Sequence, residues 1–345
     1  MARTGIGLAA CLLMPFVAWS CTPRFEDIVF PAGDIRPPGI VGATQDSPET
    51  FSILFDEGVR PVEGSFRFSP VDVVPTPICS GERLVVGLSP PVRAGFPCSL
   101  TGEVKDSWGN STRFLFEFAG YNPDPASLIL DEAQTSKNQS ASNNHRDYVE
   151  FLVEEGGELG GLKVEWSSSA KTMAYTFPPC RVSKGEYIVL HLAPESIPAE
   201  KDETSSDLAL SGGVDSSASG RDFWSSAGGL PDETGVILHR ARDGEAPRGG
   251  LFYASESKSG PLDSERMKSL VEELQAAGYW GASSPPLWED AFLWKPSSSR
   301  PLYGSGRGGK EAWSVGEPGS QSPGSHKVPQ AAREKREKKR TSKGS

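Results

Sequence analysis

Short runs of alternating apolar and polar residues constrain the fold of this chain more than any other feature. Between residues 39 and 121 these runs have a period of two and are bounded by turn residues, which is the pattern of half-buried β-strands. Their apolar positions are Phe51, Ile53 and Phe55, then Leu84, Val86 and Leu88, then Phe114, Phe116 and Phe118. One apolar face repeated at this spacing predicts an antiparallel β-sandwich.

The region from residue 124 to residue 328 predicts a second β domain. Its strand-length runs are rich in aromatic and β-branched residues, which favour strands. Representative core positions are Tyr148, Phe151, Val164, Trp166, Tyr175, Phe177, Ile188 and Leu190. The 38 glycines and 29 prolines of the chain suit many short strands and turns better than a helical bundle.

One helix interrupts this β pattern, from Ser264 to Ala277. Asp263 is its expected N-cap and Gly278 its expected end. The apolar stripe consists of Met267, Leu270, Val271 and Leu274. Such a stripe predicts packing against a sheet edge, and docking to a partner is the alternative.

The N-terminus predicts export. Arg3 precedes an apolar run, Ile6 to Val17, that is too short to span a bilayer, and Ala18-Trp19-Ser20 leads into Cys21. We therefore expect residues 1–20 to be a signal peptide and Cys21 to carry a lipid anchor. Ordinary cleavage after Ser20, leaving Cys21 unmodified, is the alternative. After the signal no apolar stretch approaches the length of a membrane span.

Two segments lie outside the predicted domains. Residues 21–38 contain closely spaced prolines and are expected to be a tether. Residues 329–345 alternate basic residues with glutamate and lack apolar residues, so we expect a disordered basic tail. The whole chain has a formal charge of −10, and the tail is basic, so the body is strongly acidic. Such a body argues against nucleic-acid binding; the tail could contact anionic lipid, an acidic partner or DNA, or simply be solvated.

The first domain resembles the bacterial Ig-like modules of surface and S-layer proteins. The resemblance rests on Ile53 to Val59 early in the domain and on Val104 to Asn110 late in it. It implies an Ig-like sandwich for residues 39–121. Asp106 and Asn110 are candidate calcium ligands, but an Asx-stabilised turn explains them more simply.

The second domain, residues 124–328, resembles a lamin-tail domain, which is also an Ig-like sandwich. The segments that carry this resemblance are 128–132, 147–151, 159–164, 175–179, 185–191, 235–238, 250–253, 299–303 and 322–324. It implies that Asp131, Glu132, Asp147 and Glu150 stand at family positions, where we expect them to bind loops rather than perform acid–base catalysis. The fold class is thus mainly β, with two tandem Ig-like sandwiches, one inserted helix and a disordered tail.

The cysteines and histidines predict no metal site. The chain has five cysteines and four scattered histidines, and it contains no C-x-x-C pair. Cys79 and Cys98 form a candidate disulfide if the compartment is oxidising, which would leave Cys180 unpaired. A simple hairpin does not place the two opposite each other, so the bond would have to join the two sheets.

One motif points to a different function. The string Ser211-Gly212-Gly213-Val214-Asp215-Ser216-Ser217 resembles the phosphate loop of PP-loop ATP pyrophosphatases, in which backbone N–H groups cradle pyrophosphate. The phosphate-binding residues would be Ser211, Gly212, Gly213, Asp215 and Ser216. However, the flanking segments lack the buried strand and the helix that such a loop joins, which favours an ordinary inserted loop.

No other catalytic template is present: the sequence contains neither G-x-S-x-G nor H-E-x-x-H, and His145 is interpreted as a loop histidine. We therefore expect a non-catalytic envelope lipoprotein, without cofactor, that acts as a binding or scaffolding module. Its expected partners are the membrane, through the lipid, and an envelope protein or polymer. Its expected location is the cell membrane or outer membrane, facing the periplasm or the surface. A PP-loop-type ATP-binding enzyme is the alternative.

Overall fold

The computed structural model describes residues 34–136, 138–140 and 143–325. The signal peptide, Cys21 and the basic tail lie outside the described residues, and those expectations stay predictions. Two separate hydrophobic cores organise the described chain, one from Phe51 to Phe118 and one from Ala126 to Val315. The fold is mainly β, as predicted.

The first core lies between two sheets. The first sheet has the order β1-β2-β6-β5; in the second, β7 pairs with β3 and β4 on one side and with β8 on the other. Their bounds are β1 (Ile40–Ser47), β2 (Thr50–Phe55), β3 (Arg60–Pro61), β4 (Arg67–Ser69), β5 (Val74–Ser80), β6 (Arg83–Ser89), β7 (Pro97–Lys105) and β8 (Ser111–Ala119).

The predicted alternation of β2, β6 and β8 is confirmed. The apolar positions of β2 and β6 are buried, and on β8 Phe114 is buried while Phe116 and Phe118 pack against the same core. Aromatic rings join the sheets, since the Phe51 ring lies 4.7 Å from that of Phe118. The two faces of each strand therefore differ as their sequences require.

The second core also lies between two sheets. Their orders are β18-β17-β12-β9-β22-β23 and β15-β14-β19-β20-β21, with two small two-stranded sheets, β10-β11 and β13-β16, beside them. The bounds are β9 (Ser127–Gln134), β10 (Asn138–Ser140), β11 (Asn143–His145), β12 (Tyr148–Glu155), β13 (Gly157–Glu158), β14 (Lys163–Ser167), β15 (Thr172–Thr176), β16 (Arg181–Val182), β17 (Tyr187–His191), β18 (Arg221–Trp224), β19 (Thr234–Arg240), β20 (Gly249–Ser255), β21 (Phe292–Trp294), β22 (Leu302–Tyr303) and β23 (Ser314–Val315).

Each of these sheets ends in one parallel strand pair, β17 with β18 and β20 with β21. A parallel pair needs a long crossover, because the chain must return to the same end of the sheet. Residues 192–220 form the first crossover. The second contains helix α1 (Glu265–Ala276), the inserted helix. The two crossovers distinguish this sandwich from a purely antiparallel one.

Helix α1 is capped by Ser264, not by the predicted Asp263. The Ser264 hydroxyl accepts a hydrogen bond from the Met267 backbone N–H at 3.4 Å, whereas Asp263 is exposed. All four residues of the predicted stripe are buried, and Gly278 follows with a φ of 79°. The stripe packs over β19 and β20, on the face of the sheet rather than at its edge.

The two sandwiches meet where glycine backbones touch. A side chain on Gly95 would lie 2.4 Å from the Gly160 backbone, so only glycine permits this contact. Gln45 accepts a hydrogen bond from the Tyr121 backbone N–H at 2.7 Å. Arg242 donates to the Gln45 carbonyl at 2.9 Å and lies 5.0 Å from the centre of the Tyr121 ring. These contacts hold the domains together from both sides of the connection.

The candidate disulfide is not formed. Cys79 and Cys98 are both free thiols, as is Cys180. Cys98 on β7 faces Phe118 on β8, and the Phe118 ring contacts Phe51 on β2. Cys79 on β5 instead faces Leu84 on β6, in the next row of side chains across the sheet. The two thiols therefore belong to different rows of the core. Burial raises the pKa of Cys98 to about 11, which keeps it a thiol at neutral pH.

Candidate functional site

The outer face of the six-stranded sheet carries polar side chains at nearly every position. In β12 the core-facing residues are Val149 and Phe151, so Tyr148 and Glu150 point to the other side. The register places Glu150 opposite Glu132, and Tyr148 between Gln134 and His191. We call Glu132, Gln134, Tyr148, Glu150, His191 and Asp222 the buried polar face, because each is less than a tenth exposed.

Glu132 is held by three hydrogen bonds. The Tyr148 hydroxyl donates to its Oε1, and the Ser322 hydroxyl donates to its Oε2 at 2.8 Å. The Ser322 backbone N–H also reaches Oε1, at 3.3 Å. Burial raises the pKa of Glu132 to about 7, because these bonds offset only part of the cost of desolvation.

Glu150 is less well satisfied than its neighbour. The Gly324 backbone N–H donates to its Oε2, while its buried Oε1 has no hydrogen-bond partner among the described residues. Burial, and then the negative charge of Glu132, raise the pKa of Glu150 to about 10. Glu150 is therefore a neutral carboxylic acid at physiological pH.

A second pair lies farther along the same face. His191 Nε2 is 2.9 Å from Asp222 Oδ1, and neither residue is exposed. The His191 ring stacks on Trp224 with centroids 3.9 Å apart. The Asp222 backbone N–H donates to the equally buried Glu203 at 2.9 Å. These side chains tie β17, β18 and the first crossover together.

The buried polar face is covered by the C-terminal part of the domain. Ser322 and Gly324 cap the two glutamates, and the Gln321 side chain donates to Gln134 Oε1 at 3.1 Å. The Tyr303 hydroxyl on β22 donates to the Ser320 carbonyl. The prediction that Glu132 and Glu150 bind loops is confirmed. Both carboxyl side chains are fully buried beneath this segment.

The PP-loop-like string lies in the first crossover, and four of its seven backbone amides already donate hydrogen bonds within the protein. The Ser211 N–H donates to the Glu203 carboxylate at 2.9 Å, and the Ser217 N–H donates to Asp222 at 3.1 Å. Gly212 donates to the Ala199 carbonyl, and Ser216 donates to Gly213. The loop has no strand directly before it and no helix directly after it, since the next element is the short strand β18, which begins at Arg221. A phosphate would meet two carboxylates here, so the geometry opposes the phosphate-loop hypothesis.

Asp215, the acidic residue of that string, fastens the loop to β11. His145 Nδ1 lies 2.6 Å from Asp215 Oδ1, and the Arg146 N–H donates to Oδ2 at 2.7 Å. Asp215 adopts a φ of 65°, which an aspartate tolerates better than most residues. The Arg146 guanidinium pairs in turn with Glu195. His145 therefore lies at the end of strand β11 and not in a loop, where the sequence had suggested it, and it anchors the first crossover to this strand.

Accessible space lies instead at the junction of the sandwiches. A cleft of about 530 Å³, which we call the arginine cleft, has charged and aromatic walls that include Gln45, Phe116, Tyr121, Lys163, Arg242 and Arg248. A second cleft of about 700 Å³, the proline cleft, has walls that include Pro97, Phe118, Tyr175, Phe177, Pro179 and Asp202. Both clefts contain residues of both domains. The junction thus carries two concave surfaces that are open to solvent.

The carboxylate of Asp106, a candidate calcium ligand, already accepts hydrogen bonds within its own turn. Its Oδ1 accepts the backbone N–H groups of Trp108, Gly109 and Asn110, and its Oδ2 accepts the Asn110 side chain. The Asx-turn interpretation is confirmed. Asp34 and Glu57 bring carboxylate oxygens to within 4.8 Å of Asp106 and of each other. Burial, together with the charges of Asp106 and Asp34, raises the pKa of Glu57.

Comparison with known families bears on the second domain. A model of the family described as "TP_1001_2nd: protein second domain" matches residues 126–302, slightly more than half of the chain. The chain belongs to this family. The match covers the strands that build the buried polar face, but it ends before Ser322 and Gly324, which cover that face. No lamin-tail family is among the matches, so that resemblance is not established.

A relative of the chain occurs in Treponema pallidum (strain Nichols). This "Uncharacterized protein" is 29% identical over 181 residues, which are 52% of this chain and 44% of the relative. The chain thus spans less than half of that relative's length. The N-terminal part of the bacterial S-layer protein SbsC aligns with a TM-score of 0.24 and 12% identity, covering 64% of this chain and 45% of that one. A superposition this loose supports no further argument.

Sequence reasoning missed His191, Glu203 and Asp222 as members of the polar face. A signal for two of them was present, because His191 and Asp222 alternate with the core residues Leu190 and Phe223. Glu203 lies in a crossover without periodicity, so no pattern could have marked it. Among the described residues no helix has the length and apolar character needed to cross a membrane.

Proposed function

We propose that this protein is a non-catalytic module of the cell envelope that binds or scaffolds another envelope component at the junction of its two sandwiches. One observation carries the proposal: the carboxyl groups and the histidine of the buried polar face are closed off from solvent, while open clefts lie between the domains. Glu132, Glu150 and His191 have no exposed surface. The arginine cleft offers cations, carboxylates and aromatic rings to solvent.

The geometry of the junction suits a scaffold. The Gly95–Gly160 contact and the contacts of Gln45 with Tyr121 and Arg242 restrain the angle between the sandwiches. A restrained angle keeps the walls of both clefts at a constant separation, which lowers the entropic cost of binding. The lamin-tail resemblance of residues 124–328 remains part of this proposal.

The proposal includes a lipid anchor at Cys21. The support is the sequence alone: a basic N-terminus, a short apolar run and a cysteine directly after small residue Ser20. Residues 21–38 would then link the lipid to the first sandwich. A lipid on the Cys21 thiol would hold the protein at the cell membrane or the outer membrane, with its two sandwiches facing the periplasm or the cell surface.

Metabolic labelling with a radioactive fatty acid tests the anchor. We expect label on the wild-type chain and none on Cys21→Ala, with Cys79→Ala as the matched control that keeps its label. An unlabelled wild type, or equal labelling of Cys21→Ala, would contradict lipid anchoring.

Site-specific photo-crosslinking in intact cells tests the binding surface. A crosslinker at Thr44, an exposed wall residue of the arginine cleft, is expected to capture one discrete envelope component. The same probe at Glu63, exposed between β3 and β4 and outside both clefts, is the control. Equal adducts at both positions, or none, would refute a junction site. Saturable ATP binding that Asp215→Ala abolishes would instead support the enzymatic alternative.

A further inference from the structure

The first sandwich has several strand edges, and all but one are protected. β5 carries Pro75 and Pro77, which cannot donate hydrogen bonds to an added strand. β1 is interrupted by two register shifts, and β3 and β4 have only two and three residues. Short, bulged or proline-containing edges are the usual defences against pairing with another chain.

Strand β8 has none of these defences. It is nine residues long, contains neither proline nor lysine, and pairs with β7 in an unbroken register from Ser111 to Ala119. Within the described residues β7 is the only strand that pairs with it. Such an edge presents a row of backbone donors and acceptors that a further strand can use.

The alternation of the ladder identifies the free peptide groups. The Gly120 N–H donates to the Phe96 carbonyl, which continues the β7–β8 ladder by one pair. Because hydrogen-bonded pairs alternate along an antiparallel ladder, the even-numbered residues of β8 bond to β7. The odd-numbered residues, among them Arg113, Leu115 and Glu117, therefore direct their N–H and C=O groups to the open side.

The sequence of this edge is complementary to itself. If a second copy pairs antiparallel with Leu115 facing its own counterpart, Arg113 of each copy faces Glu117 of the other. Leu115 is 60% exposed, and the Arg113 side chain is 84% exposed although its Nε donates a hydrogen bond to Glu103 of the same chain at 2.8 Å. Opposite charges and apolar pairs at facing positions stabilise an antiparallel pair.

Space for the second strand is also present. The half of β8 from Phe116 to Ala119 borders the arginine cleft of about 530 Å³, so the second domain leaves a gap beside the edge. At the other end, residues Asp34 and Pro38 bond to the Asn110 and Thr112 side chains. Among the described residues, the odd-numbered residues of β8 from Arg113 onward make no backbone hydrogen bond on the side away from β7.

We propose that β8 is a homodimer interface at which two copies of the chain join their β7–β8 sheets through antiparallel pairing centred on Leu115. The pairing has a two-fold axis, so each copy contributes the same residues and the assembly closes at two. The inference goes beyond the proposed binding function and shares one surface with it, because the added strand would lie beside the arginine cleft along Phe116 to Ala119.

Disulfide trapping tests the register. In the full chain, Leu115→Cys is expected to form a covalent dimer under mild oxidation, because facing Cα atoms about 5.5 Å apart suit a disulfide. Arg113→Cys is the matched control. Its counterpart would lie about 13 Å away, four residues along the strand, so it should not crosslink. The wild-type chain, oxidised in the same way, shows how much covalent dimer arises from the native cysteines alone. Equal trapping of Leu115→Cys and Arg113→Cys would overturn the proposed register.

Charge reversal tests the pairing by analytical ultracentrifugation of the full chain. Glu117→Arg and Arg113→Glu place like charges opposite each other and should each raise the dimer dissociation constant about tenfold. The triple variant Glu103→Arg/Arg113→Glu/Glu117→Arg restores opposite charges both between the copies and in the pair formed by residues 103 and 113 of each chain, so it should recover the wild-type value. Arg60→Glu, on the opposite edge of the same sheet, is the control and should have no effect.

A backbone variant completes the test. Leu115→Pro removes only an N–H that points away from β7, so the sandwich should keep its thermal stability while the dimer is lost. A wild type that is monomeric at every concentration would refute the proposal. So would a dimer that persists in Leu115→Pro, since the edge would then not be its interface.

Discussion

Glu150 lies directly opposite Glu132 on neighbouring strands, and neither carboxyl group reaches solvent. Two ionised carboxylates in this position would repel each other strongly. The structure avoids this because burial raises both pKa values, to about 10 for Glu150 and about 7 for Glu132. The stability of the second domain should therefore depend on pH.

Glu150→Gln should stabilise the protein above neutral pH. A carboxyl group whose pKa is higher in the folded than in the unfolded chain favours folding at low pH, and this contribution declines as the pH rises from about 4.5 to about 10. The amide abolishes this decline. We expect a gain of about 1–3 kcal/mol at pH 8 and little gain at pH 5. Urea unfolding at both pH values measures it, with the exposed Glu155→Gln as control. An equal effect at both pH values would contradict the expectation.

Gly213→Ala should be destabilising, and Gly212→Ala should not. A Cβ on Gly213 would lie 2.3 Å from the Trp224 ring, which is stacked on His191, whereas one on Gly212 would meet only Ala199 at 3.5 Å. We expect a loss of about 1–3 kcal/mol for the first variant and less than about 0.5 for the second. Thermal unfolding distinguishes them. Equal stability of the two would show that Trp224 does not pack against this loop.

Gly95→Ala should loosen the junction. Gly95 and Gly64 have nearly the same positive φ, 66° and 69°, but only Gly95 touches the second domain. Both substitutions cost backbone strain of about 1 kcal/mol, so the difference between them isolates the contact. We expect a larger radius of gyration in X-ray scattering, and faster proteolysis near residues 120–125, for Gly95→Ala alone. Identical behaviour of the two variants would contradict a packed junction.

Ser264→Ala should destabilise helix α1, while Asp263→Ala should not. The Ser264 hydroxyl caps the Met267 N–H, and the long bond of 3.4 Å places the loss at the lower end of cap energies, about 0.5–1 kcal/mol. Chemical unfolding of both variants measures the difference. The reverse order would restore Asp263 as the cap.

The periodicity of the sequence predicted the strands because it reflects burial directly. The alternation in β2, β6 and β8 and the stripe of α1 each correspond to one buried face, and each is confirmed. The N-cap of α1 was misplaced by one residue, since Asp263 and Ser264 are both good caps and only the backbone direction distinguishes them.

The buried polar face could not be predicted in full from the sequence. Alternation predicts that Tyr148 and Glu150 lie opposite Val149 and Phe151, but it suggests that they face solvent. Their burial depends on residues 320–324, which are far away in the chain and carry no periodic signal. The phosphate-loop string misled for a related reason. Its letters match, but the carboxylates that occupy its amides, Glu203 and Asp222, come from outside the string.

The pairing of β22 with β9 has a consequence for biosynthesis. β9 is the first strand of its domain and β22 is close to the last, so the ribosome releases them more than 160 residues apart. Until Leu302 and Tyr303 have emerged, the growing polypeptide cannot complete this sheet, and its central carboxyl groups stay in water. Folding of the domain can therefore be completed only after residues 302–303 have been synthesised.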